Sequence, residues 1–140
     1  MNDLKTQMQS DLNKMYDHLI KQGKKSLAES GWYGKAGKSC AYRGEVGAMC
    51  AVGCLISDEE YNPKMEGCDA RQVLDNFPAA FSFITGYEGW AKQRYAVFLN
   101  RVQEHMHDLI SEDANFSAQV LDGYKYVADE FGLKVERDNG

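Results

Sequence analysis

The chain has 140 residues, with 16 Lys+Arg against 21 Asp+Glu for a net charge of −5, and 44% of it is hydrophobic. That length points to one domain, large enough to bury a core without disulfide or metal staples. Aromatic residues at 11% and two prolines exclude a disordered chain, and no apolar run approaches the ~18 residues of a spanning helix.

The polar start, Met1-Asn2-Asp3-Leu4-Lys5-Thr6-Gln7, has no apolar core of the signal-peptide kind, so a cytoplasmic protein is expected. Cys40, Cys50, Cys54 and Cys68 lie 10, 4 and 14 positions apart. In that compartment they are expected as reduced thiols rather than two disulfides. The charge is uneven: residues 1–56 carry eight basic and five acidic side chains, whereas residues 57–140 carry eight and sixteen. Such asymmetry bears on association rather than on fold.

Leu4, Met8, Leu12, Met15 and Leu19 make one apolar stripe of a first helix, capped at its start by Asn2, with Asp3 favourable against the dipole, and stopped at Gly23. Residues 24–39 have no stripe and read as a glycine-punctuated loop with at most one short extended piece. Ser39 to Arg43 and Ala48 to Val52 then read as a small β-hairpin turned at Gly44 to Gly47. The competing reading is a short helix starting in the apolar run Cys50 to Ile56, and periodicity does not separate the two. Ser57 with Glu60 forms a capping-box pattern for a brief helix ended by Asn62-Pro63. Asp69 caps a short helix over Ala70 to Asn76, and Pro78 opens another containing Phe81 and Ile84. The clearest periodicity is Ala91, Tyr95, Phe98, Val102, Met106 and Leu109, a long helix from about Glu88 to Ile110. The last helix carries Phe116, Val120, Tyr124, Val127 and Phe131 and leaves through Gly132. Gly123 inside it costs about 1 kcal/mol relative to Ala, with no reason visible in the sequence.

Candidate chemistry is sparse. Gly34 to Ser39 resembles the end of a phosphate loop, but Trp32 stands where its first glycine belongs. The thiols match no common zinc spacing, and His105 and His107 point about 200° apart on one helix, so no metal is expected. No cofactor is expected either. A thiol enzyme would take Cys50 as nucleophile, His105 as base and Asp108 as its orienter. The simpler reading makes Cys50 a small buried hydrophobe. Arg94, Arg101, His105 and Asp108 fall within roughly 60° of one another on the flank of the long helix. They form either a salt-bridged edge or a binding rim with a titrating histidine. Lysines interleaved with Trp32, Tyr33 and Tyr42 over residues 21–43 suit phosphates and bases. The acidic second half disfavours that nucleic-acid reading.

The stretch Cys40-Ala41-Tyr42-Arg43-Gly44, then Gly47, then Cys50-Ala51-Val52-Gly53-Cys54-Leu55-Ile56-Ser57-Asp58-Glu59-Glu60-Tyr61-Asn62-Pro63-Lys64-Met65-Glu66-Gly67 resembles a family of small uncharacterised proteins of phages and bacteria. The resemblance implies a setting, phage-encoded and accessory, in which such proteins act by binding a host protein. Read physically, Arg43 beside a glycine turn pairs with Asp58, Glu59 or Glu60, and Gly53 allows close backbone packing. The motif is thus either a structural knot or a binding site.

The sequence therefore predicts a mainly helical α+β domain over residues 1–136, with three main helices, short helices, a small β-hairpin and a frayed tail at 137–140. The expected function is a non-enzymatic accessory protein that binds a host or partner protein, as a modulator or inhibitor, without membrane insertion. The alternative is a small thiol/His-dependent enzyme or ligand-binding protein using a pocket between the hairpin and the long helix. A nucleic-acid-binding module is third.

Overall fold

Three amphipathic helices supply the core. Helix α1 (Leu4–Gln22) buries Met8, Leu12, Met15, Tyr16 and Leu19 on one face. It ends where Gly23, in the left-handed region at φ 74°, donates its N–H to Leu19 O. The computed structural model describes residues 3–29, 38–84, 89–111 and 115–137. Helix α2 (Ala70–Asn76) is short and begins in a full capping box. The Asp69 side chain accepts from Gln72 N, and the Gln72 side chain accepts from Asp69 N. Helix α3 (Trp90–Gln103) buries Tyr95, Phe98, Leu99 and Val102 and runs on into a π turn at Glu104–Asp108. Helix α4 (Phe116–Glu130) buries Val120, Tyr124, Val127 and Ala128. It closes with the Leu133 N–H on Ala128 O and Gly132 at φ 68°.

Helices α1, α3 and α4 pack on one another, and α2 lies on α3. Tyr16 meets Tyr124 at a centroid distance of 5.0 Å, and Phe98 meets Phe131 edge-on at 5.4 Å. Each fully buried Leu or Phe there stabilises the fold by about 1.5–3 kcal/mol. A carboxylate sits inside as well: Asp11 on α1 is buried, accepting from the Tyr95 hydroxyl at 2.8 Å and from the Gln7 amide. At the other end of the chain, Arg137 holds Asp17 with two nitrogens, at 2.8 and 3.0 Å.

The long helix and Gly123 explain each other. The π turn holds one residue more than an α turn and closes with the Leu109 N–H on Glu104 O, five residues back. Helix α4 crosses this turn at Gly123. A Cβ there would overlap the His105 carbonyl oxygen and lie 2.7 Å from its carbon. Glycine lets the two backbones meet.

The α+β expectation is overturned, because the chain is organised by its four α-helices. The predicted hairpin does not form. Among the described residues the strand-like pairing is a three-residue contact of Leu27–Glu29 with Lys38–Cys40, too small to organise a layer and joining different segments. The reason lies in the backbone donors that a hairpin needs. Tyr42 N and Arg43 N both donate to the Glu66 carboxylate. On the other predicted strand, Met49 N donates to the Gln22 side chain and Val52 N to that of Gln103. With its donors drawn to side chains from elsewhere, the segment curls into tight turns at Glu45–Gly47 and Val52–Leu55. Val46 takes a left-handed φ of 56° in the first of them. The brief helix expected after Ser57 is a single turn, with the Glu60 N–H on the Ser57 hydroxyl.

Candidate functional site

The 40–67 motif builds a knot. One nitrogen of the Arg43 guanidinium donates to Gly53 O at 2.8 Å, and the other donates to Ile56 O at 2.7 Å and Asp58 Oδ1 at 3.1 Å. The same group lies over the Tyr61 ring, 4.8 Å from its centroid. Glu66 closes the other side, accepting from Tyr42 N, Arg43 N and, at 2.6 Å, the Tyr61 hydroxyl. Gly53 is needed because a Cβ would come 2.5 Å from Tyr42 O. Asp58 is 94% exposed, so its ion pair adds little to the two carbonyl contacts. Among the described residues Glu59 and Glu60 form no ion pair and are exposed. The Arg43 fork is thus engaged inside the chain.

Beside the knot lies a recess of about 240 Å³, lined in part by Tyr42, Cys50, Cys68, Asn100, Gln103 and Asp108. Its polar groups hold neighbouring segments. Asn100 Oδ1 caps Ala70 N, and the Tyr42 hydroxyl donates to Cys68 O. Gln103 accepts from Val52 N and donates to Asp108 Oδ1. His107, fully buried, completes the arrangement. Its Nε2 accepts the Ser26 N–H at 2.8 Å, which places the ring proton on Nδ1, facing Asp108 Oδ1 at 3.0 Å.

The three residues expected to make a thiol site are not assembled as expected. Cys50 is buried and its Sγ accepts from Gly53 N; burial pushes its thiol well above the ordinary range. Cys54 is pushed up to about 12, mainly by burial. His105 stacks on the Tyr126 ring at 4.2 Å, and it is His107 that meets Asp108. The π turn shifts the face by one residue, which a 100° periodicity does not anticipate. The flank strip divides in the same way. Arg101 pairs with Glu130 on α4 at 3.1 Å, and Arg94 lies over the Phe131 ring at 4.3 Å. Three of its four members thus contact α4 or the residue that follows it.

A second surface is open to solvent. Where α1 and α3 begin, Asp3, Leu4, Lys5, Met8, Trp90, Arg94 and Phe131 line a groove of about 330 Å³. Trp90 stands on its edge, 72% exposed. A Trp at the first position of a helix, about 120° from the stripe that faces the core, was the signal available in the sequence. Sequence reasoning did not single it out. It also missed Glu66, Asp11 and Gln103, and weighed His107 only as a metal ligand; the partners of these polar residues lie far along the chain.

Comparison with protein-family models, curated proteins and solved structures returns no match to this chain.

No helix among the described residues is long and apolar enough to cross a membrane, and no group of His, Cys, Asp or Glu among them could hold a metal ion. Residues 30–37, with Trp32, Tyr33 and most of the phosphate-loop resemblance, lie outside the described residues, as do 138–140. Of the basic segment's lysines, Lys25 donates to Asp108 O.

Proposed function

We propose that this chain is a non-enzymatic accessory protein that acts by docking on a partner protein through the groove between the starts of α1 and α3. The observation that carries the reading is Trp90, a large aromatic side chain left 72% exposed beside a cleft with an apolar floor. Burying such a ring against a partner releases a large apolar area, and tryptophan is enriched among the residues that dominate binding energy. The competing pocket favours a scaffold role: Asn100, Gln103 and the Tyr42 hydroxyl there are engaged with the chain itself.

The test is a photocrosslinker placed at position 93, on the exposed α3 surface near Trp90, in lysate of the cells that naturally contain the chain. One near-stoichiometric protein is expected, lost on W90A and kept on Y126A, which alters another exposed aromatic on α4. A partner captured equally by W90A, or none in repeated trials, overturns the reading.

A further inference from the structure

The groove has a charge character as well as an apolar floor. Leu4, Met8 and Phe131 supply the floor, and Lys5 and Arg94 line it alongside a single carboxylate, Asp3. Among the described residues neither Lys5 nor Arg94 has an ion-pair partner; Arg94 is held by the face of Phe131 alone. This contrasts with Arg43, Lys92, Arg101 and Arg137, each paired to a carboxylate. Two helices also begin here. The start of α1 carries the Asp3 carboxylate at its N-cap, and α3 has no acidic residue in its first turn. In a chain of net charge −5, two basic side chains against one carboxylate leave the groove with a positive excess over an apolar surface.

We infer that the groove takes an acidic, apolar segment of the partner protein, with a carboxylate between Lys5 and Arg94 and an adjacent aliphatic or aromatic side chain against Leu4, Met8 and Trp90. The inference rests on the docking reading above and adds the chemistry of the occupant. Two unpaired cations beside a low-polarity floor attract a carboxylate more strongly than exposed charges in open water do. They also discriminate against basic segments, which would meet like charge.

The probe is a displayed library of random nonamer peptides selected on the full chain at low salt, and in parallel on the K5E/R94E double variant. Both positions lie outside the core, and circular dichroism checks that the variant keeps its helix content. On the natural chain the selected peptides are expected to carry Asp or Glu next to Leu, Ile, Phe or Trp. On the double variant the preference should turn to Lys or Arg. A selected acidic peptide should bind at least about tenfold more weakly when its carboxylates are changed to amides, and should weaken as salt rises. Amide resonance changes on binding should fall on Leu4, Lys5, Met8 and Arg94. Apolar peptides without an acidic preference that still need Trp90 would overturn the inference and leave the docking reading standing. Peptides that bind W90A as well as the natural chain would overturn both. No enrichment at all, or enrichment of basic peptides, also counts against the inference.

Discussion

Replacing Gly123 with alanine sets two principles against each other. In an exposed helix the change gains about 1 kcal/mol of propensity. Here a Cβ would lie 2.7 Å from the His105 carbonyl carbon and 3.0 Å from Met106 Cγ, and would overlap the His105 oxygen. Backbone cannot rotate away as a side chain does, so α4 and the π turn must separate by roughly 1 Å, enough to forfeit a quarter to a half of each contact well across the seam. Val120, Tyr124, Val127 and Ala128 are all buried on α4. Their combined loss comes to roughly 2–4 kcal/mol, which exceeds the propensity gain. G123A is therefore expected to be destabilised by about 1–3 kcal/mol, lowering the melting midpoint by roughly 3–10 °C for a chain of this size. The assay is far-ultraviolet circular dichroism on heating and in urea, with A118G as calibration. Ala118 is exposed on the same helix, so that change should cost only its propensity, about 1 kcal/mol. A G123A protein that melts at or above the natural one refutes the close crossing.

Other consequences can be measured directly. Burial raises the Asp11 carboxyl above its ordinary value, against the opposing pull of Tyr95, Gln7 and Lys14. The folded state then holds this proton more tightly than the unfolded state. The associated stability is present below the unfolded value and lost as pH rises through the folded one. D11N should therefore match or exceed the natural protein in stability at pH 7, with the advantage shrinking as pH falls toward the ordinary carboxylate range. D11A, which takes an acceptor from the Tyr95 hydroxyl, should cost about 1–3 kcal/mol in urea titrations. At the knot, D58A should change stability by less than about 0.5 kcal/mol, because its ion pair is exposed. R43K, which replaces a fork reaching two carbonyls with a point charge, should cost about 1–3 kcal/mol; equal effects would make the ion pair the principal contact. Mapping of alkylated peptides should find Cys50 and Cys54 unreactive to iodoacetamide at pH 8 until the protein unfolds. Rapid modification of Cys50 in the folded state would restore the thiol-enzyme reading.

The helices were legible because each must bury one face, and that need prints a period on the sequence. The stripes through Leu12, Phe98 and Tyr124 give three helices with their stops at Gly23 and Gly132. Residues 38–56 were misread because a run of small apolar residues has no period, and because their conformation is set from a distance. Glu66 takes the Tyr42 and Arg43 donors, and Gln22 and Gln103 take those of Met49 and Val52. None of these pairings leaves a local trace. The candidate site was half legible in the same sense. The sequence pointed to the polar flank of the long helix, where Arg101 and His105 meet α4. It did not point to Trp90, whose importance comes from what fails to cover it.

The π turn has a consequence for chain length. Removing one residue from most positions of α3 would rotate everything beyond it by about 100° and take Met106 and Ile110 out of the core. At Glu104, which is exposed, a deletion can be absorbed by closing the wide turn to an ordinary one, leaving both flanks in phase. The same shortening would withdraw the backbone that Gly123 makes room for. The two positions are therefore coupled: a chain of this fold that lacks the extra residue is free to carry alanine opposite it, and one that keeps the residue is not.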